Sequence, residues 1–111
     1  MASLNRLLDI DGAILVLDFA ADGKLVEYKA KQDTSADAAA VAQFCATVTM
    51  LFNTLASSFA AQTGMKWLPQ NGWVLCSGDW TLVADNGTRA VIADANKVDI
   101  NRTIDTLFAS R

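Results

Sequence analysis

Histidine is absent from the 111 residues. Its absence removes the usual general base near neutral pH, the commonest metal ligand and every triad built on an imidazole. Cysteine occurs only as Cys45 and Cys76. The two are too far apart for a Cys-x-x-Cys pair and too few for a zinc site, so both read as buried free thiols in a reducing compartment. Proline is used once, and the six glycines stand singly at turn positions with no Gly-Lys-Ser/Thr among them. A phosphate-cradling loop is therefore excluded. No basic run exists, and 9 basic against 12 acidic residues leave a formal charge of -3, which argues against binding to nucleic acid or to an anionic membrane. Arg6 and Asp9 interrupt the apolar residues at the start, so no secretion signal is expected and the expected location is cytoplasmic.

The longest absence is of charge itself. None occurs between Asp37 and Lys66. The stretch is long enough to cross a bilayer. It nevertheless contains Gln43, Thr47, Thr49, Asn53, Thr54, Ser57 and Ser58, and much of its apolar content is alanine, so membrane insertion is not expected.

What is present is ordinary globular material at the apolar end, with 52% hydrophobic and 19% charged residues. Disorder is excluded, and the length predicts one domain over 1–111 with a core of its own. Leu4, Leu7 and Leu8 mark a short helix, capped by Ser3, that ends near Asp11-Gly12. Ala13 to Phe19 is apolar on both faces, as in a covered central strand. After the Asp22-Gly23 turn, Lys24 to Lys29 alternates like an edge strand. Thr34, Ser35 or Asp37 caps a long helix from about Ala36 to Thr63, which stops at Gly64. Short strands follow over Trp73–Cys76, Trp80–Ala84 and Thr88–Ala93, the last two joined by the hairpin signal Asp85-Asn86-Gly87. A final helix, opened by Asn96 or Asp99, carries Ile100, Ile104, Leu107 and Phe108 on one face. The order is α-β-β-α-β-β-β-α, an α+β sandwich around a five-stranded antiparallel sheet.

The long helix has two apolar faces at about 100° per residue. Val41, Phe44, Cys45, Val48, Leu51, Phe52, Leu55 and Phe59 fall in one arc and, being large, are expected to cover the sheet. Ala42, Ala46, Thr49, Asn53, Ala56 and Ala60 form a heptad-like seam of small residues flanked by Met50. A short chain has no spare element to cover a second face, so the seam is expected to meet the same helix of a second copy about a two-fold axis, with Asn53 fixing the register. Trp67, Trp73 and Trp80 read either as a binding hot spot or as packing under a helix or at that interface.

Candidate chemistry is sparse. Asp9-Ile10-Asp11-Gly12 begins like a calcium loop but lacks the remaining ligands; a helix-to-strand turn is expected. Ser77-Gly78-Asp79-Trp80 brings a hydroxyl near a carboxylate without a base, and reads as a β-turn. No acid, base and nucleophile set emerges, so no enzymatic activity and no cofactor or metal are expected.

The stretches Leu4-Asn5-Arg6-Leu7-Leu8-Asp9-Ile10-Asp11-Gly12, Ala42-Gln43-Phe44-Cys45-Ala46-Thr47-Val48-Thr49-Met50, Trp67-Leu68-Pro69-Gln70-Asn71-Gly72-Trp73 and Ser77-Gly78-Asp79-Trp80-Thr81, taken with the element order, resemble the roadblock / dynein-light-chain-type domain family, in a small uncharacterised prokaryotic branch. The resemblance implies a roadblock-like (profilin-like) sandwich. It also implies a homodimer or heterodimer whose long helices pair across the two-fold and whose third strands join edge to edge, through Trp73-Val74-Leu75-Cys76 here. Trp73 and Leu75 thus join Ala42, Ala46, Thr49, Met50, Asn53, Ala56 and Ala60 as expected interface residues. The function implied is a non-catalytic regulator or scaffold for a small Ras-like GTPase. Arg6, Arg89, Arg102 and Arg111 are too scattered to offer an arginine finger. The alternative is a profilin-like or longin-like sensor binding a small ligand near Tyr28 or Trp80.

Overall fold

The computed structural model describes residues 4–31 and 35–109, the side chains of 35 and 36 excepted. The suggested caps Ser3 and Thr34, the side chain of Ser35, and Arg111 lie outside this description. The elements are α1 (Leu4–Leu8), β1 (Ala13–Phe19), β2 (Leu25–Ala30), α2 (Ser35–Thr63), β3 (Gly72–Cys76), β4 (Trp80–Asp85), β5 (Arg89–Asp94) and α3 (Ile100–Ala109). Their order is the one expected.

The turns follow local chemistry. Gly12 has φ +84° and closes the α1–β1 turn, where the Ala13 N–H donates to the Ile10 carbonyl at 3.0 Å. Gly23 (φ +92°) and Gly87 (φ +98°) occupy the β1–β2 and β4–β5 hairpin turns, where only glycine reaches positive φ at little cost. Asp99 caps α3: its Oδ1 accepts the Arg102 N–H at 3.0 Å. Ser77 to Trp80 is a β-turn, with the Ser77 hydroxyl donating to the Trp80 carbonyl at 2.7 Å.

The five strands are antiparallel in the order β2-β1-β5-β4-β3. β5 is central, and β2 and β3 are the edges. One face carries α1 and α3, which bury Leu4, Leu7 and Leu107 against Val16, Val83 and Val91. The other face carries α2, and here the structure corrects the sequence reading. The small residues Ala38, Ala42, Cys45 and Ala46 are buried on Leu15, Leu17, Phe19, Leu82, Ala84 and Ala90. Of the residues expected there, Cys45 is buried and Val41 and Val48 pack half-buried against that core, but Phe44, Leu51, Phe52, Leu55 and Phe59 are exposed. The physical reason is volume matching: the strands already supply leucine, phenylalanine and tryptophan, so at the centre of a close-packed layer the helix contributes small side chains.

Length adds a second reason. The 29 residues of α2 span about 44 Å, whereas the 7 residues of β1 span about 23 Å. The last third of α2 overhangs the sheet, and no residue from Thr54 to Thr63 is buried.

The two thiols also divide, correcting the expectation that both are buried. Cys45 lies fully within the core, while Cys76 is exposed at the end of edge strand β3. Burial, reinforced by the nearby Asp85 carboxylate, pushes the Cys45 thiol from its ordinary value of 9.0 up to about 12. The folded state thus favours the neutral thiol: the stabilisation is complete below pH 9 and is lost as pH rises toward 12. A chromogenic disulfide reagent is therefore expected to titrate one thiol in the native protein and the second only in denaturant. Equal reactivity of both without unfolding would contradict this core.

Candidate interaction surface

The backbone of α2 lies over β1 and β2. The same face of β4 and β3 has no helix above it among the described residues and is roofed only by side chains reaching sideways from α2. Phe44 and Phe52 each meet the Trp73 ring edge-to-face, with centroids 6.1 Å apart. Trp73 itself is buried, and its Nε1 donates to Thr49 Oγ1 at 2.9 Å. Gln70 Nε2 donates to the Thr49 carbonyl (3.0 Å) and to Asn53 Oδ1 (2.9 Å). This polar set ties the 64–71 connection to α2.

Along that flank α2 presents Phe44, Leu51, Phe52, Leu55 and Phe59, and Phe59 leans on the exposed Trp67 with ring centroids 5.6 Å apart. A contiguous apolar strip of this kind, with no charge from Ala38 to Met65, is a surface that seeks cover. At the N-terminal end of α2 the uncovered floor deepens into a pit of about 500 Å³ lined by Ile14, Val41, Phe44, Leu75, Trp80 and Leu82 among others. Among the described residues its polar side chains are Asp37 and Ser77, and the Ser77 hydroxyl is already committed to its own turn.

The sheet edges differ in the same sense. Edge β2 displays Glu27 and Lys29, charges that discourage strand addition. Edge β3 displays Val74, Leu75 and Cys76, all exposed and uncharged.

The residues expected at an interface are therefore distributed as follows. Ala42, Ala46, Thr49 and Trp73 are core positions between α2 and the sheet, unreachable by a second copy while α2 stays docked. Asn53, Ala56 and Ala60 are half-buried on that same helical face, and Asn53 is engaged by Gln70 of its own chain rather than across an axis. Met50 is exposed on the opposite flank, beside the hairpin turns at Ala21–Gly23 and Asn86-Gly87. Leu75 alone lies on the exposed apolar strip. Trp67 and Trp73 line one hollow, and Trp80 lines another. Tyr28 packs half-buried against the α2-side core.

Angular periodicity alone places the strip Phe44 to Phe59 in the core. One signal in the sequence points the other way: a helix of nearly thirty residues predicted against strands of about five to seven cannot be covered along its whole length.

Among the described arginines, Arg89 forms a bidentate pair with Asp18, Nη2 donating to Oδ2 at 3.0 Å, on the face away from α2. Arg6 and Arg102 belong to α1 and α3 on that same side. No group of three or more His, Cys, Asp or Glu able to hold a metal ion occurs among the described residues.

This arrangement is the roadblock fold, as the sequence resemblance implied. The chain is similar to a roadblock/LC7 domain from Streptomyces avermitilis (14% identity, TM-score 0.69, covering 96% of this chain and 88% of that one). It is also similar to the gliding protein mglB of Thermus thermophilus (15%, 0.70, 96% and 83%) and to Myxococcus xanthus MglB (17%, 0.65, 94% and 87%). Within that fold, the chain belongs to DUF2173, a family described as uncharacterised conserved proteins, whose model matches residues 3–109. No curated protein matches it in sequence.

Proposed function

We propose that the chain is a non-catalytic, homodimeric regulatory or scaffold protein of the cytoplasm that serves a small Ras-like GTPase. The observation that carries the dimer is reciprocal. Above β4 and β3 no helix lies on the floor among the described residues: Trp73, Leu82 and Ala84 are covered there only by side chains, and Leu75 and Trp80 are left exposed. The apolar flank of α2 lacks a surface to lie on. A second copy related by a two-fold axis supplies both at once, because a self-complementary patch satisfies itself. The bare, uncharged edge of β3 pairs with its mate about the same axis.

The fold supports the GTPase partner by family resemblance. Between Ala38 and Met65 the α2 face has no cation to insert into a nucleotide site, so any effect on hydrolysis comes from positioning the GTPase's own groups. Helix α2 is long and apolar enough over Asp37–Thr63 to cross a membrane. We read that apolarity as interface, because one side is already packed on the sheet. The sensor alternative draws on the pit beside Trp80. Its lining offers a ligand almost no polar group to fix orientation.

Light scattering after size exclusion is expected to give twice 11.9 kDa over a range of concentrations. Immobilised dimer is then expected to retain a small GTPase loaded with GTPγS or GDP. A monomer at every concentration removes the dimer, and a dimer that retains no GTPase in either state removes the partner.

A further inference from the structure

We infer that Asn86 is a site of spontaneous deamidation, and that the reaction makes the uncharged hollow between the β4–β5 turn and α2 acidic. The chain carries two Asn-Gly steps, Asn71-Gly72 and Asn86-Gly87. Without the fold they are chemically alike, because glycine has no side chain to hinder attack by its own nitrogen. The fold separates them. Asn86 is exposed at the tip of the hairpin, and its side-chain amide has no hydrogen bond among the described residues. A methyl group placed on Gly87 would meet nothing nearer than Thr49 Cγ2 at 3.9 Å. Within the step the Gly87 N–H donates to the Asp85 carbonyl at 2.8 Å, and that bond must open first. The flanks of the turn stay fixed, since Asp85 Oδ1 accepts the Thr88 N–H at 3.0 Å and the Arg89 N–H at 2.8 Å.

Asn71-Gly72 stands between two anchors. Gln70 is bonded to Thr49 and Asn53, and Trp73 is buried and bonded to Thr49. Gly72 opens β3 and is wedged: a methyl group there would run into the Ala84 carbonyl oxygen and stand 3.2 Å from Asp85 Cα and from Phe108 Cε1. Ring closure swings the glycine nitrogen toward the asparagine side chain, so at this step the start of β3 must leave the sheet. At the hairpin tip the turn alone has to open, which costs far less than detaching a strand.

The atoms balance with water as the only co-reactant. The Gly87 nitrogen gives its proton to solvent base and attacks Asn86 Cγ. The Cγ–Nδ2 bond breaks and ammonia leaves, closing a succinimide ring. Water then adds to either ring carbonyl and leaves aspartate or isoaspartate at 86. Either product carries a carboxylate into a hollow of about 500 Å³ that is lined by Phe19, Thr49, Met50, Asn53 and Thr54 among others, with no charged side chain among the described residues. Isoaspartate also lengthens the backbone of a turn whose register Asp85 sets. The hollow lies on the flank of α2 away from the exposed apolar strip, so covering that strip leaves Asn86 in solvent.

The test incubates the native protein in mildly alkaline buffer, samples it over time and follows the two Asn-Gly peptides by mass spectrometry after digestion, with unincubated protein setting the zero. The separated peptides are also offered to a protein-isoaspartate methyltransferase with a labelled methyl donor, which reads the isoaspartyl product. Asn86 is expected to convert about tenfold faster than Asn71 or more, because the first needs a turn to open and the second a strand to detach. In denaturant the two rates are expected to converge, which ties the difference to the fold. Equal rates in the native protein, or Asn71 ahead of Asn86, overturn the inference. So does an Asn86 that reacts in denaturant and stays intact in the native protein.

Discussion

A Leu55→Glu variant is expected to fold normally and to run as an 11.9 kDa monomer at concentrations where the wild type runs at twice that mass. The side chain is exposed, sits on the part of α2 that overhangs the sheet, and lies outside the buried core whose packing its loss would disturb. Folding is therefore nearly indifferent to the change. Association is not. A carboxylate carried into an apolar contact without a partner costs several kcal/mol, or shifts its pKa and remains a buried unsatisfied acid. At about 1.4 kcal/mol per tenfold, the dissociation constant rises by a factor on the order of 100 or more. Light scattering reads the mass and a thermal melt reads the fold. Gln43→Glu supplies the control: it adds the same charge on the opposite flank of α2 and leaves the mass unchanged. A Leu55→Glu protein that remains dimeric and melts like wild type would mean that the apolar strip is not the interface.

The largest effect on stability is expected from Ala42→Leu. Ala42 is 0% exposed, packed between α2 and the strands. The added atoms have no void to enter, so either α2 lifts from the sheet or neighbouring side chains leave their rotamers. Overpacking of this kind costs about 1–3 kcal/mol, which in a domain of this size lowers the melting temperature by about 4–12 °C. Ala60→Leu is the matched comparison. It lies on the same side of the helix, since about eighteen residues make five whole turns, but past the end of the sheet and only half-buried. Its effect is expected within about 0.5 kcal/mol. The pair separates two assignments of the small-residue seam. If the seam met a second copy, both substitutions would change the mass and neither would much change the monomer's stability. With the seam on the sheet, only Ala42→Leu matters, and it acts on the melt.

Much of the fold was readable because it rests on local rules. The apolar run of β1, the Asp-Gly and Asn-Gly turns, the Asp99 cap and the period of α3 each follow from a few neighbouring residues, and the element order followed from their succession. The resemblance to roadblock domains came from the same order joined to the uncharged α2. Angular arithmetic on α2 also divided its residues into a small-residue face and a large-residue face.

Which face meets the sheet was not in that arithmetic. The period of a helix says that two residues share a side, but not what stands opposite. The choice depended on the volumes brought by β1, β4 and β5 from distant parts of the chain, and those strands, already filled with Leu15, Leu17, Phe19 and Leu82, left the fully buried places to alanine and cysteine, with Val41 and Val48 at the margin. The same packing turned Phe44, Leu55 and Phe59 outward, gave Asn53 to Gln70, and buried Cys45 while leaving Cys76 on an edge. Local backbone preference and periodicity belong to the sequence alone; the assignment of α2's inner and outer faces, and with it the candidate interface, arises only when side chains from separate segments compete for one closely packed layer.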